Sequence, residues 1–115
     1  YINGLTVLGG EPFEPENQRD LLPLLQEIRR RYPDKSIWCF TGFRLEDELL
    51  REGSHPRCEV TDRLLSCIDV LVDGRFVAAE KDISLQFRGS RNQRVLDLPK
   101  TLAAGQPVIW EHLKK

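Results

Sequence analysis

The residues best suited to chemistry sit beside glycines. Gly9-Gly10-Glu11-Pro12 places a carboxylate next to backbone that no Cβ obstructs, so a ligand can approach closely and an ammonium group would suit the carboxylate. Asp73-Gly74-Arg75 sets an acid and a base on either side of a third glycine. Arg88, Ser90, Asn92 and Gln93 add fixed donors and amides, suited either to a nucleoside or to a partner's backbone. No Ser/His/Asp or Cys/His arrangement is evident, so no acyl-transfer nucleophile is expected.

The cysteines and histidines do not make a metal motif. Cys39, Cys58 and Cys67 are odd in number and widely spaced, which fits neither a disulfide framework nor a compact ligand set, and buried free thiols are expected. His55, in a Gly-Ser-His-Pro-Arg loop, and His112 have no second ligand at helical spacing.

The elements that would position these groups follow from apolar spacing. Leu5–Leu8 is a β-prone run ending at Gly9-Gly10, and Leu21, Leu24, Leu25 and Ile28 recur at helical spacing after it. Pro23 is tolerated in a first turn, so Asp20 is the expected N-cap, and Tyr32-Pro33-Asp34 ends the helix. Ser36–Phe40 reads as a second strand, Thr41-Gly42-Phe43 as its turn, Leu45–Leu50 as a short acidic helix and residues 53–57 as a loop. Val60, Leu64, Leu65 and Ile68 mark another helix face before the strand 69–72 and its turn at Asp73-Gly74. Beyond it, residues 85–88, 94–98 and 108–110 are weaker strand candidates.

Alternating strands and helices at these intervals predict an α/β fold with a mostly parallel sheet and flanking helices. In such folds ligands sit at the carboxyl ends of the strands, and Gly9-Gly10-Glu11, Thr41-Gly42 and Asp73-Gly74 all fall on that edge.

Composition narrows the rest. The chain has 115 residues, enough for one domain, here read as 1–115, and a net charge of -1 gives no global attraction to nucleic acid or an anionic membrane. Arg29-Arg30-Arg31 ends a helix, where cations are favoured, and reads as a solvated face. No apolar run approaches the roughly 20 residues a membrane-spanning helix needs, and the expected compartment is the cytoplasm. The chain opens at Tyr1 and holds no methionine, so a fragment of something longer is expected.

Four stretches carry a family resemblance: Leu8-Gly9-Gly10-Glu11-Pro12-Phe13, the segment from Ile37 to Phe43, the segment from Asp69 to Phe76, and Phe87-Arg88-Gly89-Ser90-Arg91-Asn92-Gln93. Together they resemble the activating enzymes of anaerobic ribonucleotide reductase, in the radical S-adenosylmethionine superfamily, over residue 1 to about Leu98. The resemblance implies a partial (βα) barrel whose intact protein cleaves S-adenosylmethionine reductively and generates a glycyl radical on the reductase. It implies that Gly9, Gly10 and Glu11 hold the methionine ammonium, with Thr41 and Gly42 lining the next strand end. Asp73 and Arg75 correspond to an acid and base that contact the cofactor or the substrate loop, with Arg75 in place of a more usual lysine. Arg88, Asn92 and Gln93 would complete the cofactor site.

The implied partners are the large subunit of anaerobic ribonucleoside-triphosphate reductase and an electron donor such as flavodoxin. The family's Cys-x3-Cys-x2-Cys ligands of a 4Fe-4S cluster are not in this sequence, so the chain by itself is expected to carry no cluster, to cleave no cofactor and to bind S-adenosylmethionine weakly at most. The alternatives are a non-catalytic α/β module binding a nucleotide or phosphate through Gly9, Gly10, Arg75 and Arg88, and a pure docking domain.

Overall fold

The computed structural model describes residues 4–7, 10–75, 79 and 92–111. Four strands, β1 (Gly4–Val7), β2 (Ser36–Phe40), β3 (Val70–Asp73) and β4 (Arg94–Asp97), form one sheet in that order. β1–β2 and β2–β3 are parallel, whereas β4 returns antiparallel to β3. The fold class is α/β as expected. The sheet is mixed because β4 follows β3 without a crossover helix among the described residues.

Side chains alternate across the strands. Ile37, Cys39, Leu71 and Leu96 face the helices and join Phe13, Leu25, Leu45, Leu64, Leu65 and Leu98 in the main core. Trp38, Val70, Val72 and Val95 form a second cluster on the other face, with Phe40 and Trp110 packed against it. Both faces of β3 are therefore buried, which explains its uninterrupted apolar run.

Helix α1 (Pro15–Arg31) begins earlier than the sequence predicts. The expected Asp20 N-cap is corrected to Glu14: Pro15 opens the helix, where its missing N–H costs nothing, and Pro23 falls inside it. An interior proline costs about 3 kcal/mol. Burial of Leu22 and Leu25 offsets this, since a fully buried leucine contributes roughly 1.5–3 kcal/mol.

The acidic segment is a single π-turn at Leu45–Leu49, anchored by buried Leu45 and Leu49. Helix α2 (Thr61–Ser66) packs Leu64 and Leu65 inward. The strand expected at 94–98 stops at Asp97, which caps helix α3 (Leu98–Ala104) by accepting from the Lys100 N–H at 3.1 Å. Residues 108–110 contribute one bridge, Leu96 to Ile109, rather than a strand. The candidate strand 85–88 lies outside the described residues.

Candidate functional site

The carboxyl ends of the parallel strands meet around Glu11. Its Oε2 accepts the Thr41 hydroxyl at 2.7 Å and the Phe13 N–H at 2.9 Å, and its Oε1 accepts the Gly42 N–H at 2.7 Å. The tip beyond β1 is thereby fastened to the end of β2. A carboxylate offers about four acceptor positions, and among the described residues the one left open here is on Oε1. Asn17 secures the same turn by donating from its side-chain amide to the Glu11 carbonyl at 2.8 Å.

Thr41 is 5% exposed and its hydroxyl has two tasks, donating to Glu11 and accepting the Phe43 N–H at 3.1 Å. Gly42 is held close: a Cβ there would lie 3.4 Å from Glu11 Oε1 and 3.8 Å from Arg75 Cγ. Gly74 has φ +99°, a backbone region that favours glycine, and a Cβ would meet the Asn92 carbonyl at 3.4 Å. Gly10, Glu11, Thr41, Gly42, Gly74 and Gln93 line a cavity of about 300 Å³ at this edge.

Arg75 stands on the rim with its side chain 72% exposed, its guanidinium 5.9 Å from the Phe43 ring centre and 3.9 Å from Glu48. Gln93 donates to the Gly74 carbonyl at 3.0 Å and Asn92 to the Arg75 carbonyl at 2.7 Å, so both amides shape the turn after β3. Gly10, Glu11, Thr41, Gly42 and Gln93 are thus gathered at one cavity, with Arg75 at its edge. Gly9 and Arg88 lie outside the described residues, as does Ser90.

Asp73 is not brought to the cavity with them. Its side chain is 0% exposed and turned into the protein, where Arg94 Nε donates to Oδ1 at 2.9 Å and Arg94 Nη2 to Oδ2. Oδ2 also accepts the Leu45 N–H at 2.9 Å. Among the described residues, the carboxylate lining the cavity beside Gly42 is therefore that of Glu11.

Two contributors escaped the sequence reading. Gln18 is 0% exposed, donating to the Phe13 carbonyl at 2.7 Å and the Pro56 carbonyl at 2.6 Å while accepting from the Thr61 hydroxyl at 2.7 Å. Its place with Leu22 and Leu25 on one helical stripe was the available signal. Arg94 was the other, and its partners are remote in sequence.

The cysteines lie on separate elements: Cys39 within β2, Cys67 after α2, and Cys58 with its sulfur 3.5 Å from Gln18 Oε1. Burial pushes the thiols of Cys39 and Cys67 up, disfavouring thiolates, and the Glu11 charge adds to this at Cys39. Among the described residues no three His, Cys, Asp or Glu side chains are grouped so as to hold a metal ion.

Residues 1–96 match the family described as a 4Fe-4S single cluster domain. The chain belongs to that family. It is similar to the anaerobic ribonucleoside-triphosphate reductase-activating protein of Escherichia coli (strain K12), 46% identical over 92 residues, which are 80% of this chain and 54% of the relative. The protein of the same name from Haemophilus influenzae is 44% identical over 90 residues, 78% of this chain and 52% of that one. The one from Enterobacteria phage T4 is 32% identical over 114 residues, 97% of this chain and 60% of the relative. The chain thus spans about half the length of the first two relatives. No solved structure matches it.

The family description implies a 4Fe-4S cluster, and the donor set of this chain does not fit one. Its three cysteines are dispersed, two of them buried in the core, and cluster binding requires converging thiolates. What the arrangement offers chemically is a carboxylate held in place at the cavity, with acceptor capacity for a donor group.

Proposed function

We propose that this chain is the part of an anaerobic ribonucleotide reductase-activating protein that cradles the amino-acid end of S-adenosylmethionine, in a sheet that forms part of a (βα) barrel. The observation that carries the reading is the Glu11 carboxylate, fixed by Thr41 and Gly42 at the mouth of the strand-end cavity with an acceptor position left on Oε1. A ligand ammonium would take that position, Gly10 and Gly42 would let it approach, and Arg75 on the rim would meet a carboxylate. When bound, S-adenosylmethionine supplies the group that takes hydrogen from a glycine of the reductase. The residues of this chain orient it and keep water from it. The intact protein's partners would be the large reductase subunit and an electron donor such as flavodoxin, in the cytoplasm. Among the described residues no helix is long and apolar enough to cross a membrane.

Titration calorimetry with S-adenosylmethionine and with methylthioadenosine, which lacks the amino-acid end, tests this. The wild-type chain should prefer S-adenosylmethionine, and Glu11→Gln should weaken it about tenfold, as expected for loss of a charged hydrogen bond, without affecting methylthioadenosine. Equal binding of both compounds would overturn the reading. The dispersed cysteines favour a second one, a non-catalytic α/β module for a nucleotide or a protein partner. ATP binding that exceeds S-adenosylmethionine binding and is indifferent to Glu11→Gln would establish it.

A further inference from the structure

Arg94 opens β4, where the antiparallel register sets it opposite Asp73. Its fork grips Asp73 from Nε and Nη2, and Nη1 and Nη2 also donate to Glu46 of the π-turn at 3.1 and 2.6 Å. One cation thus lies between carboxylates from two elements. Its side chain is 17% exposed, and a lysine ammonium has no planar fork with which to bridge both acids. A buried carboxylate left without its cation is strongly destabilised and would swing out to water. With Arg94 in place, Asp73 stays inside and holds the Leu45 N–H.

That hold reaches the cavity. Segment 41–45 is fixed at three points: the Thr41 N–H on the Val72 carbonyl at 2.9 Å, the Gly74 N–H on the Phe43 carbonyl at 3.0 Å, and the Leu45 N–H on Asp73. Gly42 lies between the first two, and its N–H is the donor that orients Glu11 Oε1. We infer that Arg94 is a positioning residue for Glu11: by neutralising Asp73 it fixes segment 41–45, and with it the Gly42 N–H against the carboxylate. The ligand it serves rests on the reading given above, but the geometric claim does not.

Amide hydrogen exchange on the wild-type chain, Arg94→Met and the double variant Asp73→Asn with Arg94→Met tests the claim. In Arg94→Met the Gly42 and Leu45 amides should exchange about tenfold faster while Leu71, in the middle of β3, keeps its protection. The double variant should restore Gly42 and Leu45, since a carboxamide oxygen still accepts the Leu45 N–H and carries no charge to neutralise. Unchanged Gly42 exchange in Arg94→Met, or equal acceleration at Leu71, would overturn it. Should the single variant not fold, native protection of Gly42 in the double variant supports the proposal and its loss overturns it. In calorimetry, Arg94→Met should weaken S-adenosylmethionine about tenfold and leave methylthioadenosine within about twofold. Because exchange at Gly42 needs no ligand, failure of the positioning claim appears there. Failure of the functional reading appears instead as a wild-type chain without preference between the two compounds.

Discussion

A hydroxyl that donates to a carboxylate and accepts from an amide has no apolar substitute that keeps both bonds. Thr41→Val would keep the shape of the side chain but leave the Phe43 N–H without its acceptor and Glu11 Oε2 with only the Phe13 N–H. Because Thr41 is 5% exposed, water cannot readily replace either partner, and a loss of roughly 1–3 kcal/mol is expected in urea unfolding. Thr41→Ser, which keeps the hydroxyl, should lose about 1 kcal/mol or less, the scale of a buried methyl group. A valine variant as stable as the serine variant would show that the hydroxyl bridge contributes nothing net. Glycine turns at strand ends, together with the family resemblance, made Glu11 and Gly42 candidates in the sequence. They did not show that the carboxylate is held by the next strand before any ligand arrives, because those contacts join residues 30 and 31 positions apart.

At the scale of elements, the strands were legible because their apolar runs are short and end at glycine or polar turns. The start of α1 was not, because a proline is tolerated best in a first turn, whereas burial of Gln18, Leu22 and Leu25 on one stripe holds the helix through Pro23. Pro23 is exposed and its ring packs in no core cluster. Pro23→Ala should therefore restore a backbone hydrogen bond to the Arg19 carbonyl and stabilise the chain by roughly 1–3 kcal/mol, less whatever proline gains by stiffening the unfolded chain. Thermal unfolding of the two proteins measures it, and an unchanged or lower midpoint would mean the helix needs the proline's bend. Helix α3 was missed although its signals were present: Asp97 as N-cap, Pro99 in the first turn and Gly105 at φ 71° after the end. They are hard to see because β4 runs into α3 with no residue between them, so Leu98 continues the apolar pattern of the strand.

For the whole molecule, the least legible feature was which charges pair, since Arg94 meets Asp73 across 21 residues and Glu46 across 48. Only the antiparallel return of β4 creates that meeting, and nothing local to Arg94 announces it. The same pairing governs how the fold responds to acid. Hydrogen bonds from Arg94 hold the Glu46 carboxyl below its ordinary value of 4.5, against the opposing effect of partial burial. A group made more acidic by folding contributes stability that is complete above its unfolded value and is lost as pH falls through the folded one. Stability should therefore be level from neutrality down to the ordinary glutamate range and decline below it. Glu59, held down to about 2 chiefly by hydrogen bonds from Arg19, and Asp62, lowered by Arg57, act in the same direction. The Arg19–Glu59 pair is exposed on both sides, 50% and 62%, so salt should weaken its share more than that of Arg94 and Glu46, which are 17% and 39% exposed. Urea midpoints followed from about pH 7 to about pH 3, in low salt and in about 1 M salt, separate the two shares. The acid decline should become shallower in Arg94→Met, and the difference between that variant and wild type should persist in high salt. If the decline is the same in both proteins, or if salt abolishes the difference, then Arg94 acts as a surface charge and not as the bridge that joins β3, β4 and the acidic π-turn.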